Sequence, residues 1–211
     1  MPRLLRIDVS PRMEGSSSRT IANQFIDVWK RKYPGGEIIN RDLAKITLPH
    51  LDADTTAAFV TPPEERDDVL QEAVTLSDQL VQEFLTADEI LISSPMYNFG
   101  VPSTLKAYID HIIRAGYTFS YHPQEGFSGL VKTKHAYLAL SYGAAGYIDG
   151  QMAQIDFLKP YLEAVLTFIG IPHIETVYIE GAAFAPEAAE QTKALVPERI
   201  HSILGFIETT P

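Results

Sequence analysis

The sequence predicts an α/β protein, a doubly wound parallel sheet of five strands in the order 2-1-3-4-5 with helices on both faces. Three observations carry this. Short apolar runs alternate along the chain with segments of helical periodicity. Two of the runs, EILISS at 89–94 and KHAYLALS at 134–141, are continuous rather than alternating, as in strands buried on both faces. Five strands, rather than six, favour this order over that of the larger dinucleotide folds.

Leu4, Leu5, Ile7 and Val9 form the first strand, which ends at Ser10. After the loop SPRMEGSSSR (10–19), Ile21, Phe25, Val28 and Trp29 recur at helical spacing to about Tyr33, and Pro34-Gly35-Gly36 stops that helix. Glu37 to Leu43 reads as the second strand. Residues 44–65 are expected to be irregular, with turn chemistry in LPHLDAD and TPPEE. Thr61 or Pro62 opens a long helix with Val69, Ala73, Leu76, Leu80 and Phe84 as its apolar stripe. Glu89 to Ser94 is the third strand. PMYNFGVP follows, then a helix from Ser103 to Ala115 with Leu105, Tyr108, Ile109 and Ile112 inward. YTFSYHPQEGFSG is a loop or short hairpin. Lys134 to Ser141 is the fourth strand and SYGAAGYIDG a loop. Asp156 to Ile169 forms a helix with Leu158, Leu162, Val165 and Ile169 inward, ended by Gly170 and Pro172. His173 to Ile179 is the fifth strand. The last helix starts at Pro186, and Pro197 should break or kink it.

A chain of 211 residues suits one domain over 1–211. At this size roughly 70% of the unfolded surface is buried, enough for stability without disulfides or metals. A net charge of −10 disfavours nucleic acid unless a basic patch exists, and the densest basic cluster, Lys30-Arg31-Lys32, sits at a helix end. No apolar stretch reaches the ~18 to 20 residues of a membrane span. Arg3, Arg6 and Asp8 interrupt the N-terminal apolar run, unlike a signal peptide, so a cytoplasmic protein is expected. Cysteine is absent, and His50, His111, His122, His135, His173 and His201 form no HxxxH or HExxH pattern, so no metal site is expected.

Sheets of this kind bind ligands at the carboxyl ends of their strands, near the switch point between the first and third strands. That singles out loops 10–18, 95–101 and 141–150. In the first, Ser10 ends the strand and Ser16, Ser17 and Ser18 precede a helix N-terminus, where free N–H groups and the helix dipole attract an anion. One serine serves as the N-cap, and four together suit a phosphate. Arg19 is expected to pair with a surface carboxylate rather than the phosphate. GxxxxGK[ST] and GxGxxG are absent, no cysteine could serve a phosphatase, and the third strand ends in Ser93, Ser94 and Pro95 where a receiver domain needs aspartate. What remains is a neutral loop that holds a phosphate monoester without reacting with it, and flavin mononucleotide (FMN) is such a ligand. In the second loop, Pro95, Met96, Tyr97, Asn98 and Phe99 offer flat apolar cover and a polar group for a ring edge. Met96 and Phe99 would otherwise be core residues beside a proline turn. In the third, Ser141, Tyr142, Gly143 and Ala144 include small residues that let backbone approach a planar ligand. The alternative there is an ordinary turn.

Four segments, SPRMEGSSSR (10–19), TPPEERDDVLQEAVTLSDQLVQEF (61–84), SSPMYNFGVPSTLKAYIDHIIRAGYTFSY (93–121) and FLKPYLEAVLTFIGI (157–171), carry a family likeness over nearly the whole chain. The chain resembles the FMN-dependent NADH:azoreductases and quinone reductases of the flavodoxin-like superfamily. PMYNF followed by a P-x-x-L-K-x-Y helix is the specific part. The resemblance implies a homodimer with one FMN per subunit, held at the dimer interface. It implies Ser10 and Ser16 to Ser18 on the phosphate and ribityl chain, Met96 to Phe99 along the isoalloxazine, and Ser141 to Ala144 on its other side. The family commonly has Ser-Arg-Gly-Gly in that last loop. Here it reads Ser-Tyr-Gly-Ala, so Tyr142 replaces a cation. Tyr121 is implied to reach towards the partner's substrate pocket. The implied activity is ping-pong, two-electron reduction of quinones or azo compounds by NADH or NADPH, with the flavin carrying the chemistry. No catalytic side chain is then required, and Asp110 and His111 are expected to be structural. Phe59 and His50, in the 44–65 stretch, are candidates to shape the substrate pocket. The rival readings are a flavodoxin-type single-electron carrier and a flavin-free interaction protein on the same scaffold.

Overall fold

The structure, a computed structural model, describes residues 1–133 and 135–205. In chain order the elements are β1 (Arg3–Asp8), α1 (Ser17–Lys32), β2 (Glu37–Asp42), α2 (Ala53–Val60), α3 (Asp68–Leu85), β3 (Glu89–Pro95) and α4 (Ser103–Ile112). Then come β4 (Phe119–His122), β5 (Gly126–Gly129), β6 (His135–Ser141), α5 (Lys159–Phe168), β7 (His173–Ile179), α6 (Pro186–Ala194) and α7 (Val196–Ile203). The main sheet has five strands in the order β2-β1-β3-β6-β7, every pair parallel, which is the expected 2-1-3-4-5 arrangement. Strands β4 and β5 form a separate antiparallel hairpin, with Tyr121 opposite Phe127. No helix among the described residues is long and apolar enough to cross a membrane.

Alternation along each strand decides which helices cover which face. Leu5, Ile7, Ile90, Ile92, Leu138 and Leu140 point to one side, where Leu80 and Phe84 of α3, Leu105, Tyr108 and Ile112 of α4, and Leu162 and Leu166 of α5 bury them. Leu4, Leu91, Tyr137 and Ala139 point to the other, against Ile21, Phe25 and Trp29 of α1 and Val196 and Ile200 of α7. Trp29 is fully buried, and its indole N–H donates to Glu89 at 2.5 Å, which satisfies a carboxylate at the entry to β3.

Several boundaries differ from expectation for physical reasons. The 44–65 stretch is not all irregular, because it contains α2. Asp52 caps that helix by accepting the Thr55 N–H at 2.8 Å, while Thr55 and Ala58 are buried. Its eight residues are too few to show a periodicity. The long helix starts at Asp68, not at 61 or 62, because Asp67 accepts the Leu70 N–H at 2.9 Å and caps it there. Val69 is therefore in the first turn and 59% exposed, outside the apolar stripe, whose place is taken by Val74, Ser77, Leu80, Val81 and Phe84. The helix after the third loop begins at Lys159, with Asp156 ahead of it as the acceptor for the Leu158 and Lys159 N–H groups. Pro197 does break the last helix, into α6 and α7. Lys134, the expected start of the fourth strand, lies outside the described residues.

The hairpin is fixed by a backbone crossing. A Cβ on Gly129 would lie 2.2 Å from the Gly170 nitrogen, so only glycine admits this approach. Gly129→Ala is expected to lower stability by about 1–3 kcal/mol, since the clash is with backbone and not with a movable side chain. A urea titration measures it, and an unchanged midpoint would show that the crossing yields.

Candidate functional site

Strand β1 feeds α1 on one face and β3 feeds α4 on the other, so the carboxyl edge of the sheet parts between them. A cleft of about 130 Å³ opens there. Ser10, Arg12, Ser16 and Ser17 line it from the first loop, and Pro95, Met96 and Tyr97 from the second. Ser141, Tyr142 and Gly143 line it from the third, with Ala182 and Ala183 from the segment after β7. Tyr97 also borders a broader hollow of about 610 Å³, walled by Asn98, Lys106, Phe157 and Tyr161 among others.

The first loop is anchored from below. The Arg19 guanidinium donates to the Ser10 carbonyl from Nε (3.0 Å) and Nη2 (2.7 Å), and to both Asp42 oxygens (3.0 and 2.7 Å). Asp8 lies 3.4 Å away. The expected carboxylate pairing is present, but only 12% of the Arg19 side chain is exposed, so this is an internal clamp rather than a surface pair. Burial works against the charged form of Asp42, yet the hydrogen bonds from Arg19 and Ala44 and the charges of Arg19 and Lys45 hold its carboxyl below the usual range.

The clamp leaves the serines with free protons. Ser10 Oγ accepts the Arg12 N–H at 3.3 Å, and Ser16 Oγ accepts the Arg19 N–H at 3.4 Å as the N-cap of α1. An oxygen occupied as an acceptor can still donate its own hydrogen. The Ser17 N–H precedes the first helical bond, from Thr20 to Ser16, and lies on the cleft, where it is open to an anion. The Ser18 side chain is not brought to the cleft. It is fully buried, with its hydroxyl 3.4 Å from Ser16 Oγ, where it can donate and turn the Ser16 proton outward.

The second loop is a tight two-residue turn. Tyr97 and Gly100 exchange N–H···O bonds of 3.0 Å, with Asn98 (φ 47°) and Phe99 (φ 72°) left-handed between them. Asparagine tolerates this region, while phenylalanine pays about 1–2 kcal/mol there. The Phe99 carbonyl is tied by the Phe157 N–H at 2.8 Å. Tyr97, Phe99 and Phe157 are 45%, 47% and 59% exposed, so the turn presents rings rather than burying them. Phe99 is not a core residue, since it is 47% exposed, whereas Met96 is half-buried, packing on the core and lining the cleft as well.

The third loop follows β6. Tyr142 belongs to the cleft wall but its ring is wholly buried, stacked on Tyr147 at 5.3 Å, with its hydroxyl donating to Asp156 at 3.2 Å. Burial and the Asp156 charge push the phenol far above its ordinary pKa, so it stays a neutral donor. The ring therefore does not occupy the cleft as a cation replacement would. Glu180 accepts the Tyr147 and Ile148 N–H groups at 2.6 and 3.1 Å and holds the rest of the loop. Ala144 is not on the cleft; it packs on the core and its carbonyl accepts the Gly181 N–H.

Other expected residues fall elsewhere. Tyr121 lies on β4, 60% exposed, 4.9 Å ring to ring from Phe127, and does not line this cleft. Asp110 pairs with Lys106 and His111 Nε2 meets the Pro49 carbonyl at 3.0 Å, and neither lines the cleft. Phe59 stacks on Arg114 at 4.1 Å and His50 is exposed, and neither reaches the cleft. Sequence reasoning missed Arg12, Ala182 and Ala183. Arg12 lines the cleft, and Glu14 balances its charge within the loop. The small-residue run GAAFAP at 181–186, at the carboxyl end of the last strand, was the available signal for the alanines. Among the described residues no group of three metal-ligating side chains converges.

The family model of the flavodoxin-like fold matches residues 2–203, and the chain belongs to that family. Within it, the chain is similar to the FMN-dependent NADH:quinone oxidoreductase of Xanthobacter autotrophicus, 48% identical over 83% of this chain and 84% of that protein. It is 39% identical to the protein of the same name in Herminiimonas arsenicoxydans, over 97% of this chain and 99% of that one. The solved azoreductase of Bacillus anthracis superposes with a TM-score of 0.89 at 28% identity, covering 98% of this chain and 100% of its own. The protein is an oxidoreductase of this group.

Arg19→Lys is expected to cost about 1–3 kcal/mol, because one ammonium cannot reproduce the fork that grips Ser10 and Asp42 together. Acid should act on the same clamp. With its pKa depressed in the fold, Asp42 contributes its stabilisation fully above about pH 4, and this is lost as pH falls through the lower folded value. Urea midpoints measured across acidic pH should converge for wild type and Arg19→Lys, and parallel curves would argue against the clamp.

Proposed function

We propose that the chain binds FMN at the carboxyl edge of the sheet and uses NADH or NADPH to reduce quinones and azo compounds in a ping-pong, two-electron reaction. The single observation that carries this is the donor set of the narrow cleft. Ser10 and Ser16 each accept a protein N–H and keep a proton to give, beside the Ser17 N–H at the start of α1. Such a set suits a phosphate monoester that is held and never transferred. When bound, the flavin supplies the hydride chemistry. The protein's work is to hold and orient. Tyr97 and Met96 give the ring apolar cover, the Asn98 amide offers hydrogen bonds to its polar edge, and the small residues from Gly143 and Ala182 allow close approach from the other side. The names of the relatives, FMN-dependent NADH:quinone oxidoreductase and azoreductase, support the same assignment.

The proposed assembly is a homodimer in which the exposed Tyr121 reaches towards the partner's substrate pocket. Its support is an exposed aromatic group on the hairpin, with Tyr121 and Phe127 60% and 62% exposed. A flavodoxin-type carrier on this scaffold would accept electrons from a partner protein and would oxidise almost no NADH with a quinone present.

The test is anaerobic absorbance of the FMN-loaded protein. NADH should bleach the flavin bands and menadione should restore them, and bands unmoved by NADH and NADPH would sink the proposal. Replacing Ser10 and Ser16 by alanine together should weaken FMN binding roughly tenfold or more while riboflavin affinity holds. An equal loss for both ligands would move the phosphate elsewhere. Asn98→Gly, which keeps the left-handed backbone without cost, should lower quinone reduction by about 10²-fold with little change in stability. Undiminished turnover at saturating FMN would remove the amide from the reaction.

A further inference from the structure

We propose that Tyr142 is a positioning residue: through Asp156 and Phe157 it holds the Tyr97–Gly100 turn in its left-handed shape, and so couples the third loop of the cleft to the second. The consequence for cofactor binding rests on the flavin reading above. The coupling itself rests on geometry alone.

The turn needs a brace. Its two internal hydrogen bonds join Tyr97 to Gly100 and leave the middle, Asn98 and Phe99, without a bond of its own. Phe99 at φ 72° is the unfavourable residue, since neither glycine's freedom nor a local side-chain bond relieves it. The contact that holds it is the Phe157 N–H on its carbonyl, 2.8 Å, reinforced by the bridge between Gly100 and Phe157. Phe157 is not held by its own ring, which is 59% exposed. It is held by the peptide it shares with Asp156.

Asp156 in turn is fixed by three donors. Its Oδ1 accepts the Leu158 and Lys159 N–H groups at 2.8 and 3.2 Å, and its Oδ2 accepts the Tyr142 hydroxyl at 3.2 Å. The residue is 6% exposed and no cation pairs with it among the described residues; Lys159 bonds Glu163 instead. A buried carboxylate stabilised only by neutral donors is sensitive to the loss of any one of them. Tyr142 is the immobile end of this chain of contacts. Its N–H donates to the Ile179 carbonyl at 2.9 Å, its carbonyl accepts from Ala182 at 3.0 Å, and its ring is enclosed. Tyr142→Phe would keep the enclosed ring and remove one donor from Asp156, which then turns towards other partners and carries Phe157 with it.

Two measurements test this on the whole chain, with urea unfolding to verify that each variant folds. The first is amide hydrogen exchange by NMR on the protein without flavin. In Tyr142→Phe, exchange at Phe157 and Gly100 should speed up roughly tenfold while Leu138 in the sheet is unchanged. Unchanged exchange at both sites, or acceleration throughout, overturns the proposal. The second is a double-mutant cycle on FMN affinity by fluorescence titration. Tyr142→Phe should weaken FMN roughly tenfold in the natural background, and by less than about twofold in a Phe99→Gly background, where the turn needs no brace. Equal weakening in both overturns it. Should the natural protein bind no FMN, the flavin reading fails alone, and the exchange measurement still decides the coupling.

Discussion

Every strand of the main sheet runs in the same direction, and the rest of the molecule follows from that constraint. A parallel strand cannot be joined to its neighbour by a tight turn, so each connection crosses a face through a helix and returns. All the strand-to-helix loops therefore gather at one edge. Where β1 sends its helix to one face and β3 to the other, the loops part and a cleft forms between them. Backbone groups in such loops have lost their ladder partners and must find others. Each loop here has its own solution: a guanidinium under the first, a neighbouring backbone segment beside the second, two buried carboxylates behind the third.

Those solutions also bear on how an acidic chain could hold the proposed phosphate. The net charge is −10, yet among the described residues no Asp or Glu lines the cleft. Asp42 and Asp8 are engaged by Arg19, Asp156 accepts two backbone N–H groups and a phenol, and Glu180 accepts two more N–H groups. The cleft is lined by serines, small aliphatic residues, Met96, Tyr97 and Arg12. Local dipoles and one cation act at contact distance, whereas the distant charges are screened beyond about 8–10 Å. The strain in the site is confined to Asn98 and Phe99, where the surrounding bonds over-determine an unfavourable backbone.

Legibility varied with the range of the interaction. The serines before α1 could be read because capping and helix N-termini are local effects, and Ser16 is the cap. The buried strands could be read because an apolar run such as EILISS has few other fates. α2 could not, since its eight residues are too few for a periodic signal and are held by the Asp52 cap and by burial of Thr55, which bonds α3, and of Ala58. Tyr142 was legible as a departure from a familiar loop but not as a buried donor, because Asp156 lies fourteen residues on and only the fold brings them together. Arg19 pointed to a carboxylate in sequence, while its grip on the Ser10 carbonyl emerged only with the turn that folds the loop back over α1.

By itself, then, the amino-acid sequence determined the layer architecture, the strand order and the three loops that meet at the switch point. Periodicity and buried-strand runs are properties of neighbouring residues, and parallel topology leaves few alternatives. Only the tertiary structure decided which side chains in those loops face the cleft. It turned Ser18 and Tyr142 inward, brought Arg12, Ala182 and Ala183 to the wall, and set Asn98 on a left-handed turn. These outcomes depend on hydrogen bonds between segments far apart in the chain, and such bonds leave no periodic trace in the sequence.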